Sequence, residues 1–164
     1  MSFGKGANPK YQLDLNNSSI EWVDSWTYLG VNLIHGNRFG CCVQSTLSKF
    51  YRAANAILRV EGRSDDTVML RLLEAHCVPI LSYGVEVLRI ADRKQKNKLR
   101  VAYNSIFRKL FNFSWRESVS ELQHELGRPT WEELVSQRRQ NFEIKCREFH
   151  SNSLVRTINT FVTT

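Results

Sequence analysis

Hydrophobic periodicity changes once along this chain, near Gly40, and that change limits what it can fold into. Before it, Tyr11, Leu13 and Leu15 alternate with polar residues, the two-residue period of a strand. Asn16-Asn17-Ser18-Ser19 is a turn cluster, and residues 20–23 and 26–34 are rich in β-branched and aromatic types. Residues 1–38 therefore read as a small antiparallel hairpin or three-stranded meander, ending near His35-Gly36-Asn37. After Gly40 the apolar residues recur at three- and four-residue steps. Val43, Leu47, Phe50, Ala54 and Ile57 predict an amphipathic helix over 41–60, stopped by Gly62. Ser64-Asp65-Asp66 starts a second, with Val68, Leu72, Leu73 and His76 at helical spacing, and Pro79 and Gly84 kink or end it. Asp92 opens a third, whose apolar face is Leu99, Tyr103, Ile106, Leu110 and Phe111. Ser118 with Glu121, and Thr130 with Glu133, have the spacing of capping boxes. They precede a short helix at 119–126, closed by Gly127, and a long one at 131–149 with Trp131, Val135, Phe142, Cys146 and Phe149 on one face. Residues 151–164 read as a frayed end. The expected class is mainly α, a helical bundle behind a small N-terminal antiparallel β hairpin or meander.

Composition narrows the classes further. At 164 residues, with 42% hydrophobic and 24% charged, the chain is long enough to bury a core and too apolar to stay disordered. No stretch approaches the roughly 20 apolar residues of a membrane span. The first residues lack the apolar segment of a secretory signal. Cys41, Cys42, Cys77 and Cys146 form no CxxC, and a reducing interior is the simpler setting. The expected location is intracellular, in the nucleus, the cytoplasm or both.

Charge is concentrated rather than spread. Eight of the 23 basic residues and one of the 16 acidic ones fall within residues 89–109, so this segment alone carries a charge equal to the net +7 and the rest balances. Such a segment on a neutral body is the footprint of phosphate-backbone binding, and also the composition of a solvated helix face. Arg93, Lys94, Lys96, Lys98, Arg100, Arg108 and Lys109 are its candidate contacts. Lys49, Arg52 and Arg59 lie off the apolar stripe of the first helix and are further candidates.

Catalytic constellations are missing from the sequence. Polymerase and nuclease chemistry needs closely placed carboxylates for two metal ions. The adjacent acidic pairs, Asp65-Asp66 and Glu132-Glu133, sit at predicted helix starts, where capping and the helix dipole account for them. Cys146 and His150 are half of a zinc spacing without the other half. No GxGxxG, Walker A or GxSxG run occurs. Trp22, Trp26, Tyr28 and Phe39 admit two readings, stacking platforms or core filling between sheet and helices, with core filling favoured.

Four segments, in order, resemble the end of a reverse transcriptase from non-LTR (LINE-type, jockey-like) retrotransposons. They are Ser25-Trp26-Thr27-Tyr28-Leu29-Gly30-Val31; the run from Lys49 to Leu58; Leu73-Glu74-Ala75-His76-Cys77-Val78-Pro79-Ile80-Leu81-Ser82-Tyr83-Gly84-Val85-Glu86; and the run from Ala102 to Phe111. The first is similar to the primer-grip hairpin of that family and the second to its first thumb helix. The resemblance implies a division into 1–38, the end of the palm and the primer-grip hairpin; 39–116, a helical thumb; and 117–164, a helical C-terminal extension. It implies that Tyr28, Leu29 and Gly30 support the primer end, and that the basic residues above hold the backbone of an RNA template–DNA primer duplex without reading sequence. The palm aspartates of these polymerases lie upstream, and no such pair stands here. The expectation is therefore a catalytically incomplete chain with no cofactor of its own, Mg2+ belonging to the palm. Its expected partners are an RNA–DNA hybrid or other nucleic acid and the polymerase's palm and fingers, with no membrane. The competing expectation is an interaction-only remnant that self-associates through exposed palm-facing apolar surface.

Overall fold

The computed structural model describes residues 12–36, 40–59, 65–86 and 93–148. The expectations for Phe39, Gly62, Ser64, Arg89, Asp92, Phe149, His150 and the 151–164 tail lie outside these residues. So does the contribution of Tyr11 to the first strand.

The N-terminal part forms two small sheets. Strand β1 (Leu13–Leu15) pairs antiparallel with β2 (Ser18–Ile20), Leu15 opposite Ser18. The two residues between them, Asn16 and Asn17, have φ of 49° and 61°, the left-handed pair that a tight hairpin needs and asparagine tolerates. Strands β3 (Ser25–Tyr28), β4 (Val31–Ile34) and β5 (Gly40–Cys42) form a three-stranded antiparallel sheet in that order. The meander thus gains a strand at residues 40–42, where the periodicity had placed the start of a helix.

Helices follow: α1 (Gln44–Leu58), α2 (Asp66–His76), α3 (Val78–Ser82), α4 (Arg93–Leu110), α5 (Ser120–Glu125) and α6 (Trp131–Glu148). Mainly helical architecture behind small antiparallel hairpins is as the sequence predicts. The α1 stripe packs inward, with Val43, Leu47, Phe50 and Ala54 buried and Ile57 half-buried. On α4, Leu99, Tyr103 and Ile106 are buried as expected, and Ala102 and Phe107 join them. Burying such aliphatic and aromatic side chains contributes on the order of 1.5–3 kcal/mol each. One buried cluster runs from Val43 through Leu73, Leu81 and Phe107 to Val119 and Trp131.

Three expectations are corrected. On α2 the inward face is Met69, Leu70, Leu73 and Cys77, while Val68 and Leu72 are exposed and His76 points outward. Apolar residues cover most of the circumference of that helix, so spacing alone could not select the face its neighbours would cover. Trp26 and Tyr28 do not fill the core: each is 61% exposed. They share a sheet face with their cross-strand partners Leu33 and Val31. Strand β3 is an outer strand of its sheet, two strands away from β5 and the helical body, so its side chains overhang. The Ser118–Glu121 capping box does not form. The residue at the N-cap of α5 is Val119, and the Ser118 hydroxyl instead shares a 2.6 Å hydrogen bond with that of Ser120. At the other end Gly127, at φ 64°, closes α5 with its own N–H on the His124 carbonyl (3.0 Å) and the Arg128 N–H on that of Gln123 (2.7 Å). A left-handed residue is required there, and glycine takes it without a Cβ penalty.

Candidate nucleic-acid interface

The start of α6 is built into the rest by a chain of contacts. Glu133 Oε2 accepts from the Thr130 N–H at 2.7 Å and its hydroxyl at 2.8 Å, so this capping box forms as its spacing predicts. Those bonds hold the Glu133 carboxyl below the usual carboxylate range. The Tyr103 hydroxyl of α4 donates to the Pro129 carbonyl at 2.9 Å, and its ring lies 5.6 Å from that of Trp131. Arg128 meets Glu74 of α2 at 2.9 Å, although burial still pushes the Glu74 carboxyl upward. Burial first, and then the charge of Glu74, push the Tyr103 phenol up to about 12.

These contacts hold α6 alongside the N-terminal half of α4 and leave a groove of about 1090 Å³ between them. Val85, Leu99, Trp131 and Val135 give it apolar lining. Arg93, Lys94, Lys96 and Arg100 of α4 line it together with Arg139 of α6, and Glu132 and Glu143 temper the charge. Arg100 donates to Asn97 Oδ1 at 2.7 Å and stands 3.9 Å from Glu132. Both side chains are more than half exposed, so that ion pair is weak.

The remaining candidates are dispersed. Lys98 is exposed outside the groove lining. Lys109 lies 15 positions beyond Lys94, about 22 Å along the helix axis. It donates to Asn55 Oδ1 of α1 at 2.9 Å and lines a second cleft, of about 360 Å³, with Arg59. Arg108 is half-buried and donates to the Glu117 carbonyl at 3.0 Å, a contact that fastens the loop after α4. Lys49 and Arg52 are exposed on α1.

Tyr28 and Val31 pair across strands, which makes Leu29-Gly30 a two-residue turn with φ of 46° and 78°. Glycine suits the second position, and a Cβ there would meet only the Tyr83 ring, at 3.6 Å. Leucine in the left-handed region is strained, and Leu29 is also 71% exposed. The tip is tied down from outside the sheet. Tyr83 donates its hydroxyl to the Leu29 carbonyl at 3.0 Å. Two and three residues on, Val85 accepts from Arg139 Nε at 3.1 Å and Glu86 pairs with Arg138 at 2.9 Å. Residues 83–86 thus join the hairpin tip to the wall of the α4–α6 groove.

Sequence reasoning did not nominate Tyr83 or Arg139 as site residues. Tyr83 lay inside a family-like run, a usable signal, whereas Arg139 is one of several basic residues on α6 with nothing to distinguish it. Among the described residues no group of three or more His, Cys, Asp or Glu side chains is placed to hold a metal ion. Glu133 is engaged with Thr130, and Glu132 lies toward Arg100, so this acidic pair does not fit a two-metal centre. Among the described residues no helix is long and apolar enough to cross a membrane.

No family model matches the chain, and no solved structure matches it. Over 143 residues, 85% of its length, it is 27% identical to the probable RNA-directed DNA polymerase from transposon BS of Drosophila melanogaster. The chain spans only 16% of that protein's length. This distant similarity, running through the four segments singled out above, supports kinship with a transposon-encoded RNA-directed DNA polymerase, that is, a reverse transcriptase.

Proposed function

We propose that this chain is the primer-grip hairpin, thumb and C-terminal extension of a non-LTR, jockey-like retrotransposon reverse transcriptase, and that it holds the RNA template–DNA primer duplex by its backbones. The observation that carries this reading is the linkage through residues 83–86. It sets the Leu29-Gly30 tip and the basic α4–α6 groove beside each other, with Val85 and Leu99 lining both the groove and a small cavity under the turn. A strained, exposed leucine held in place from outside its hairpin suits a contact surface better than a spacer. Basic side chains on neighbouring helices supply the charge for phosphates, a contact that positions a duplex without reading its sequence. Catalysis would belong to a palm carrying the metal-binding aspartates, and the chain alone would not polymerise.

Fluorescence anisotropy with a blunt RNA–DNA hybrid at several salt concentrations tests this. The expected result is micromolar binding that falls steeply with salt. Replacing Lys94, Lys96, Lys98 and Arg100 together by Glu should abolish it while circular dichroism stays helical. Unchanged binding by that variant would reject α4 as the contact.

A second reading is favoured by a different observation. Leu15, Trp26 and Tyr28 are each more than 60% exposed, and Leu13 and Ile20 more than 40%. A chain that has lost its polymerase partners would self-associate through such a surface. Concentration-dependent size in light scattering, with no salt-sensitive hybrid binding, would favour this reading.

A further inference from the structure

The loop between α4 and α5 treats its three aromatic residues in opposite ways, Phe111 being partly buried against the core. Phe113 packs against the core, whereas Trp115 is 77% exposed. The Arg116 guanidinium lies 4.9 Å from the Trp115 ring centre, a cation–π distance. The turn that presents this pair is pinned at several points. Asn112 takes a left-handed φ of 56°, and the Phe113 N–H donates to the Arg108 carbonyl at 3.0 Å. The Ser114 N–H donates to Glu117 Oε2 at 2.6 Å, the Glu117 N–H returns to the Ser114 carbonyl at 3.2 Å, and Arg108 holds the Glu117 carbonyl at 3.0 Å. Trp115 is therefore outside because the turn aims it outward. Along residues 108–117 the chain carries three cations, Arg108, Lys109 and Arg116, and a single carboxylate, Glu117, which is turned onto the Ser114 backbone N–H.

We propose that Trp115, with Arg116 beside it, is a stacking platform for an unpaired nucleobase, so that the chain engages single-stranded nucleic acid adjoining a duplex. This rests on the reading that the chain binds nucleic acid. Indole is a large flat π surface, and a base of any identity can stack on it. A guanidinium alongside can stack in turn or reach the neighbouring phosphate. Holding the indole in place beforehand lowers the ordering cost of binding.

The test compares a blunt RNA–DNA hybrid with hybrids carrying a short single-stranded RNA or DNA overhang, by anisotropy and by quenching of tryptophan fluorescence. An overhang of either kind should raise affinity about tenfold and quench emission, because every base offers a π face. Trp115→Ala should remove the gain and leave blunt-hybrid binding unchanged. Trp115→Phe should keep most of it, and Arg116→Glu should reduce it. Circular dichroism checks that the variants fold, as expected for so exposed a position. A gain from only one kind of overhang, lost in Trp115→Ala, would assign the site to that strand type. No gain, or a gain that survives Trp115→Ala, would overturn the proposal while blunt binding leaves the duplex reading standing. Binding of overhangs without blunt binding would do the reverse. Loss of both, with wild-type chain folded, would end both. If Trp115→Ala instead dispersed a self-associated form and left overhang binding unchanged, Trp115 would be a protein contact and the proposal would fail.

Discussion

Tyr83 and Leu29 stand 54 positions apart, yet the phenol of one donates a 3.0 Å hydrogen bond to the carbonyl of the other. The ring also lies on the turn itself, 3.6 Å from where a Cβ on Gly30 would be. The hairpin tip is thereby oriented from the helical body. Replacing Tyr83 by Phe keeps the ring and removes the hydroxyl. Amides around the β3–β4 turn should then exchange several-fold faster, while global stability falls by only about 1 kcal/mol, the net worth of one such bond. Unchanged exchange would show that the ring alone orients the turn.

Leu29 holds a left-handed conformation that costs an ordinary residue roughly 1–2 kcal/mol. Leu29→Asn should relieve most of it, because asparagine tolerates that region, and should raise the melting temperature slightly. If the exposed leucine serves a partner, the same change should weaken hybrid binding. A variant both less stable and equally able to bind would contradict both halves of this expectation.

Leu72 and Leu73 are adjacent leucines on α2 with opposite fates, 40% and 0% exposed. Leu73→Ala should cost about 2–5 kcal/mol in urea unfolding, transfer and cavity contributions together. Leu72→Ala should cost well under half of that, because 40% of its area already meets water and truncation at an exposed position leaves no enclosed cavity. Equal costs would mean that α2 is rotated from the orientation described.

The raised pKa of Tyr103 has a definite sign in the pH dependence of stability. A phenol that ionises near pH 10 when unfolded and at about 12 when folded leaves the native state holding the extra proton between those values. Its contribution is thus fully present below about pH 10 and is lost as pH rises toward 12. The difference in stability between the wild-type chain and Tyr103→Phe should therefore shrink over that interval. A difference that stays level from neutral pH to 12 would rule out the shift.

Much of this architecture is legible locally. The α1 stripe, the Thr130–Glu133 box, the Gly127 stop and the Asn16-Asn17 turn each depend on residues within a few positions of one another. So does the concentration of positive charge on α4. The family-like segments pointed toward reverse transcriptase, and a distant relative supports that kinship. Local signals failed where the answer lay in a neighbour. Trp26 and Tyr28 have strand-like, apolar character, but only the strand order shows that they overhang on an outer strand. The apolar run of α2 offered several faces, and packing against α1, α3 and α4 chose one.

By itself, then, the sequence determined the helical class, the small β start, the basic segment and the Thr130–Glu133 cap, because each arises from backbone preferences and spacing within one or two turns. Tertiary structure alone decided that Tyr83 holds the hairpin tip and that Arg139 joins the α4 cations across a groove. It also decided that the Trp115 ring projects outward from a pinned turn. The first two rest on contacts between distant segments, and the third on which of the loop's aromatic residues the core takes in; a short-range pattern carries no information about which surfaces will meet.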